Sequence, residues 1–112
     1  MTQLYRDLAG VERLIHEPGR LDIMAVLCVY ESADFLSILH TTGLSRGNLS
    51  RHLAKLEEAG YVHIGKTFQR KVPRTVCSLT EAGRDAFQRY RVQLERAISS
   101  LPHAVVHDPR HG

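Results

Sequence analysis

The stretch GLSRGNLSRHLAKLEEAGYV, Gly43 to Val62, decides how the rest of the chain is read. Gly43 can take the left-handed conformation that ends a helix. Two residues on, Ser45 offers a hydroxyl that accepts from an exposed backbone N–H at the start of the next helix. Leu44 and Leu49 stand at the two positions that staple a helix entrance. A helix is therefore predicted from Ser45 until Gly60 stops it. At about 100° per residue, Leu53 and Leu56 fall within about 40° of Leu49, so one face is core. Gly47, Arg51, Ala54 and Glu58 lie near the opposite side, with Asn48 and Lys55 on a flank. His52 is about 60° from the leucine stripe, a packed flank residue rather than a base reader.

Working outward, a short helix is expected from about Leu36 to Thr42, with Phe35 and Leu39 facing inward. Before it, the run from Ile23 to Tyr30 is apolar on nearly every side, which predicts a central, buried helix opening at Pro18-Gly19. Leu4, Leu8, Val11 and Ile15 recur at helical spacing and predict a first helix over Leu4 to Ile15. On the other side, Tyr61 to Lys66 and Thr75 to Leu79 read as two strands of a hairpin with a long basic tip. Thr80 then caps a last helix running to about Leu101, with Ala86, Phe87, Tyr90, Leu94, Ala97, Ile98 and Leu101 along its apolar side. The fold class is mainly α with a small β-hairpin. Residues 1–101 form one domain and 102–112 a mobile tail.

The 112 residues carry a formal charge of +3, and its distribution says more than its size. Residues 1–43 hold three arginines against six acids, whereas residues 44–79 hold seven Lys and Arg against two acids. That concentrated basic segment is the footprint expected of a nucleic-acid reader. Helix, tight turn at Thr42-Gly43-Leu44, helix and basic hairpin make up a winged helix-turn-helix, whose second helix enters the major groove. Arg46, Asn48, Ser50 and Arg51 are types that hydrogen-bond to bases or phosphate, and Gly47 lets the backbone come close. The wing residues Lys66, Arg70, Lys71 and Arg74 are read as backbone-phosphate or minor-groove contacts, with phosphate anchoring assigned to Lys55, Arg70, Lys71 and Arg74.

The segments IHEPGRLDIMAVL, GLSRGNLSRHLAKLEEAGYV and PRTVCSLTEAGR, with the helix after them, resemble winged-helix transcriptional regulators close to the MarR and ArsR groups. The resemblance spans roughly Leu4 to Leu101. It implies a homodimeric DNA-binding regulator, usually a repressor, with terminal helices at the dimer interface. The family's DNA-reading positions map onto Ser45, Arg46, Gly47, Asn48, Ser50, Arg51 and Lys55, and its wing onto Lys66 to Arg74. Leu4, Leu8, Val11, Tyr90, Leu94, Ile98 and Leu101 are expected at the dimer interface. The cysteine pairs and the last-helix His/Asp sets of ArsR metal sensors are not matched, so no metal or cofactor is implied.

Other features have plainer readings. His103, His107 and His111 are four apart, but Pro102 and Pro109 argue against a helix that would align them as metal ligands. Cys28 and Cys77 are expected to be buried structural thiols. No glycine-rich phosphate loop or His-Glu metal motif suggests an enzyme. The start lacks a secretory pattern and no run is long enough to span a membrane, so the cytoplasm is expected. A second reading is a winged-helix module that docks an acidic protein partner. A small-molecule effector at a dimer cleft is compatible with the first.

Overall fold

The computed structural model describes residues 2–102 and 107–110, with the side chains of residues 2–5 outside that description. His103 and His111, part of the expected tail, also lie outside it. Helices α1 (Thr2–Ala9), α2 (Pro18–Val29), α3 (Phe35–Thr42), α4 (Arg46–Glu58) and α5 (Glu81–Ser99) surround three short strands. These are β1 (Ala33–Asp34), β2 (Val62–Gln69) and β3 (Val72–Leu79), antiparallel in the order β1-β3-β2. The class is the expected one, mixed α+β with a winged helix-turn-helix.

Four of the helices start where a side chain accepts from a backbone N–H that has no partner within its helix. Glu17 does so for Arg20 at 2.9 Å, Asp34 for Ser37 at 2.8 Å, Ser45 for Asn48 at 3.2 Å and Thr80 for Gly83 at 3.0 Å. The left-handed Gly43, with φ 71°, ends α3 and sets up the turn into α4. Gly83 has a different reason to be glycine. A Cβ there would stand 2.1 Å from the Tyr61 carbonyl oxygen, so only a bare Cα lets α5 seat against the foot of the hairpin.

One core joins the elements. Ile23, Met24 and Leu27 of α2, Ile38 of α3, Leu49, Leu53 and Leu56 of α4, Val62, Cys77 and Leu79 of the hairpin and Ala86, Phe87 and Tyr90 of α5 are buried together. The hairpin register pairs Val62 with Leu79 and Ile64 with Cys77, which turns the apolar side inward. Among the described residues no helix is long and apolar enough to cross a membrane.

Several expectations are corrected. The first helix stops at Ala9, because Gly10 breaks it. Val11 and Ile15 still reach the core, but from an irregular link. α2 is not buried all round: Ala25, Cys28 and Val29 are exposed, as is Tyr30 just after it, so only one of its apolar stripes faces in. Cys28 is accordingly not a buried thiol. In α3 the inward residue is Ile38, with Phe35 and Leu39 half-buried. The hairpin strands run on to Gln69 and from Val72, leaving a two-residue turn at Arg70-Lys71 in place of a long tip. Pro73 fits within β3 because β1 pairs only with Val76 and Cys77, so β3 is an edge where the proline lies.

Candidate nucleic-acid interface

The leucine stripe of α4 is fully used by the core, which leaves the opposite face open to solvent. Ser45, Arg46, Gly47, Asn48, Ser50, Arg51 and Lys55 are all exposed. The Arg51 guanidinium donates through Nη2 to Asn48 Oδ1 at 2.7 Å. Residues three apart on a helix are neighbours, and here the contact holds a guanidinium fork and an amide side by side on the outer face. Nothing lies within 4 Å of where a Gly47 Cβ would stand, and its φ is not positive. The fold therefore does not require glycine at this position. Lys55 is at the far end of the helix, beside Leu14 and Glu58, about 13 Å along the axis from Arg46.

Behind that face His52 is buried, 8% exposed, and anchors α4 to the start of α2. Arg20 Nη1 lies 3.3 Å from His52 Nδ1, and Glu17 Oε2 is 3.7 Å from both Arg20 Nη1 and His52 Nδ1. Arg20 also donates through Nε to the Leu14 carbonyl. Burial pushes the His52 pKa below its ordinary value, outweighing the attraction of Glu17. A neutral ring can accept the Arg20 N–H at Nδ1. Burial by itself would raise Glu17, but the backbone N–H groups of Arg20 and Gly19 and the charges of His52 and Arg20 hold it below the ordinary carboxylate range. As expected, His52 is a packed residue that orients the helix from behind.

The wing brings Lys66, Arg70 and Lys71 to the surface, all exposed. Arg70 and Lys71 both have positive φ, 52° and 66°. A tight hairpin turn of the I′ kind demands that conformation and ordinarily takes it from Asn and Gly. Arg74 differs from the other three. It is half-buried and its Nη1 sits 3.4 Å from Asp34 Oδ2, so part of its charge is met inside the chain. The Ser37 N–H, with lesser help from Arg74, holds the Asp34 carboxyl below its ordinary range. Asp34 was not singled out from the sequence. The order Asp-Phe-Leu-Ser signals its cap, but its pairing with a residue forty positions away does not show in any local pattern. A groove of about 380 Å³ lined by Arg46 and by Val72, Pro73 and Arg74 places the wing directly beside the start of α4.

The residues expected at a dimer interface divide. Leu8, Ile98 and Leu101 are exposed and Leu94 is half-buried. Val11 and Tyr90, at 4% and 2% exposure, are occupied by this chain's own core, where the Tyr90 hydroxyl meets His16 Nδ1 at 2.8 Å. The reason is that the chain folds α1 and the link after it onto α5, filling the stripe that the sequence left open. Leu4 is among the residues whose side chains are outside the description. Cys77 is buried, and burial pushes its thiol up to about 11, leaving it protonated and unreactive at neutral pH.

Comparison with known proteins agrees with this geometry. An uncharacterized protein of Methanocaldococcus jannaschii is 37% identical over 78 residues, covering 70% of this chain and 85% of that one. The solved structure of a transcriptional regulator homologue from Pyrococcus horikoshii superposes with a TM-score of 0.77 at 30% identity, covering 88% of this chain and 96% of that one. A MarR-family transcriptional regulator of Enterococcus faecalis shares the fold at 19% identity, with a TM-score of 0.67 over 88% of this chain and 84% of its own. Residues 20–98 match the winged helix DNA-binding domain family, so that match takes in the turn, α4 and the whole wing, and the chain belongs to that family.

Proposed function

We propose that this protein is a transcriptional regulator that reads double-stranded DNA as a homodimer on a pseudo-palindromic site and acts there as a repressor, in the cytoplasm. The observation that carries the reading is the outer face of α4. Arg46, Asn48, Ser50 and Arg51 are exposed on a helix fixed from behind by its leucines and His52, with a basic wing alongside. Base edges in the major groove offer acceptors to an Arg fork and a donor–acceptor pair to Asn. Lys55, Lys66, Arg70 and Lys71 supply phosphate contacts, with a weaker share for Arg74 because of Asp34. Leu8, Val92, Ile98 and Leu101 leave exposed apolar surface on α1, on α5 and just beyond it. Pairing those surfaces across a two-fold axis would set two copies of α4 about 34–36 Å apart, one helical turn of DNA. A small-molecule effector seated in the cleft between the two copies would bias that spacing.

The test is selection of bound sequences from a random duplex pool, followed by titration of the selected duplex by fluorescence anisotropy. Two chains per site are expected, with log affinity falling linearly against log salt by about 0.9 per phosphate neutralised. Replacing Arg51 with Ala should cost roughly 1–3 kcal/mol on the selected site and relax its sequence preference. An equal loss on every sequence would remove Arg51 from base reading. Absence of duplex binding at low salt would favour the module that docks an acidic protein.

A further inference from the structure

Phe68 is out of place by the logic of the core. It is 72% exposed, close to the wing tip, and takes no part in the core cluster, unlike Phe35 and Phe87, which pack on it or in it. The hairpin register makes Pro73 its cross-strand partner, so the two share one face of the wing. Lys66, two residues earlier on the same strand, is on that face as well. Lys66, Phe68, Pro73 and Thr75 continue the alternation of Val62, Ile64, Cys77 and Leu79, so this is the face the hairpin turns toward the helices, and its Pro73 and Thr75, with Val72 and Arg74 of the other face, line the groove that takes in Arg46. An apolar pair thus stands between a lysine and the strained Arg70-Lys71 turn, on the side that a duplex seated on α4 would meet.

Charge and shape choose the occupant. A tip carrying Lys66, Arg70 and Lys71 is drawn to a polyanion, and the adjacent helix presents Arg46, Asn48 and Arg51 to the same body. Two residues of strand place Phe68 about 7 Å behind the turn, comparable with the roughly 7.5 Å depth of the minor groove. With the two basic residues reaching in, the ring would lie at the rim, against the sugars.

We propose that Phe68, backed by Pro73, is a nonpolar DNA contact whose ring packs on the deoxyribose wall of the minor groove when the wing tip enters it. The inference rests on the DNA-binding reading above and adds to it a component of affinity that does not come from charge. Apolar side chains at a minor groove widen it and favour sequences that deform easily. Packing of a ring on sugar releases no counterions, so this contribution is distinguished from that of the lysines and arginines by its salt dependence.

The experiment compares wild type, Phe68→Ala, Phe68→Leu and an Arg70→Ala/Lys71→Ala double variant on the selected duplex, by anisotropy across a salt series. Thermal melts and sedimentation are run on each protein. Phe68→Ala should melt like wild type, since the ring is outside the core, and should bind about tenfold more weakly at every salt concentration with an unchanged slope. Phe68→Leu should recover most of the loss, and the double basic variant should flatten the slope. Equal affinity of Phe68→Ala and wild type overturns the inference, as does a changed slope, which would make the ring a mere support for the basic tip. Intact DNA binding with altered sedimentation would give the ring to a protein interface and likewise overturn it. Failure of the wild type itself to bind any duplex is a separate result, one that overturns the DNA-binding reading.

Discussion

Gly47 separates folding from function more cleanly than any other residue on the outer face of α4. It is the second residue of the helix, has an ordinary φ, and has open space where a Cβ would be. Glycine loses more backbone freedom on folding than alanine does, so in a helix it costs about 0.5–1 kcal/mol. The chain accepts that cost at a position where its own packing asks for nothing. Gly47→Ala should therefore raise the unfolding free energy by up to about 1 kcal/mol and at the same time weaken binding to the selected duplex, because a methyl group would hold the backbone off the DNA. Urea denaturation and anisotropy on the same preparation measure the two effects. A variant that is more stable and binds as well as wild type would show that no close approach occurs there. Gly83 is the opposite case: its missing Cβ is demanded by the Tyr61 carbonyl, inside the fold.

Among the elements, the wing is where sequence pattern and structure part most clearly. A Pro and scattered basic residues read as a long loop, but strand pairing continues to Gln69 and Val72. The register is set at the other end, by Val62, Ile64, Cys77 and Leu79 facing the core, and the tip takes whatever conformation that register leaves. It leaves two residues in the left-handed region, filled by Arg70 and Lys71. Each non-glycine residue there carries roughly 1–2 kcal/mol of steric cost, which is intelligible if the side chains are kept for what they contact. Substituting Arg70→Asn and Lys71→Gly together, the pair that this turn prefers, should stabilise the protein by about 1–2 kcal/mol. Its DNA affinity should fall, and the slope of log affinity against log salt should become shallower by about two charges' worth. A stabilised protein with the wild-type salt slope would mean the tip never touches phosphate. The α4 entrance, by contrast, was legible residue by residue, because its cap, staple and leucine stripe all lie within a dozen positions of one another.

Across the whole molecule, what local pattern concealed is what depends on residues distant in sequence. Periodicity found the apolar stripes of α2 but could not say that Cys28 and Val29 are on the outward one, since that is decided by where α3, α4 and the hairpin pack. It found the spacing of Val11 and Tyr90 but not that they fill one another's side of a single chain. The charged cluster of Glu17, Arg20 and His52 is the same kind of feature, joining the first turn of α2 to the middle of α4. Its consequence is a direction of pH dependence. His52 in the folded chain has a pKa below its ordinary 6.5. As pH falls through that value the unfolded chain takes up a proton that the folded one resists, so this part of the stability is present above about pH 6.5 and lost on acidification. Glu17 and Asp34 are held below their ordinary values of 4.5 and 3.8, so their contributions are lost in the same direction at lower pH. The urea midpoint should therefore fall in two stages between pH 7.5 and pH 3.5. His52→Gln, which keeps a side chain of similar length without the titration, should remove the upper stage and leave the lower one. A midpoint that holds level from pH 7.5 to 5 in wild type, or an upper stage that survives in His52→Gln, would show that the cluster does not couple α4 to the rest of the fold through the charge of this ring.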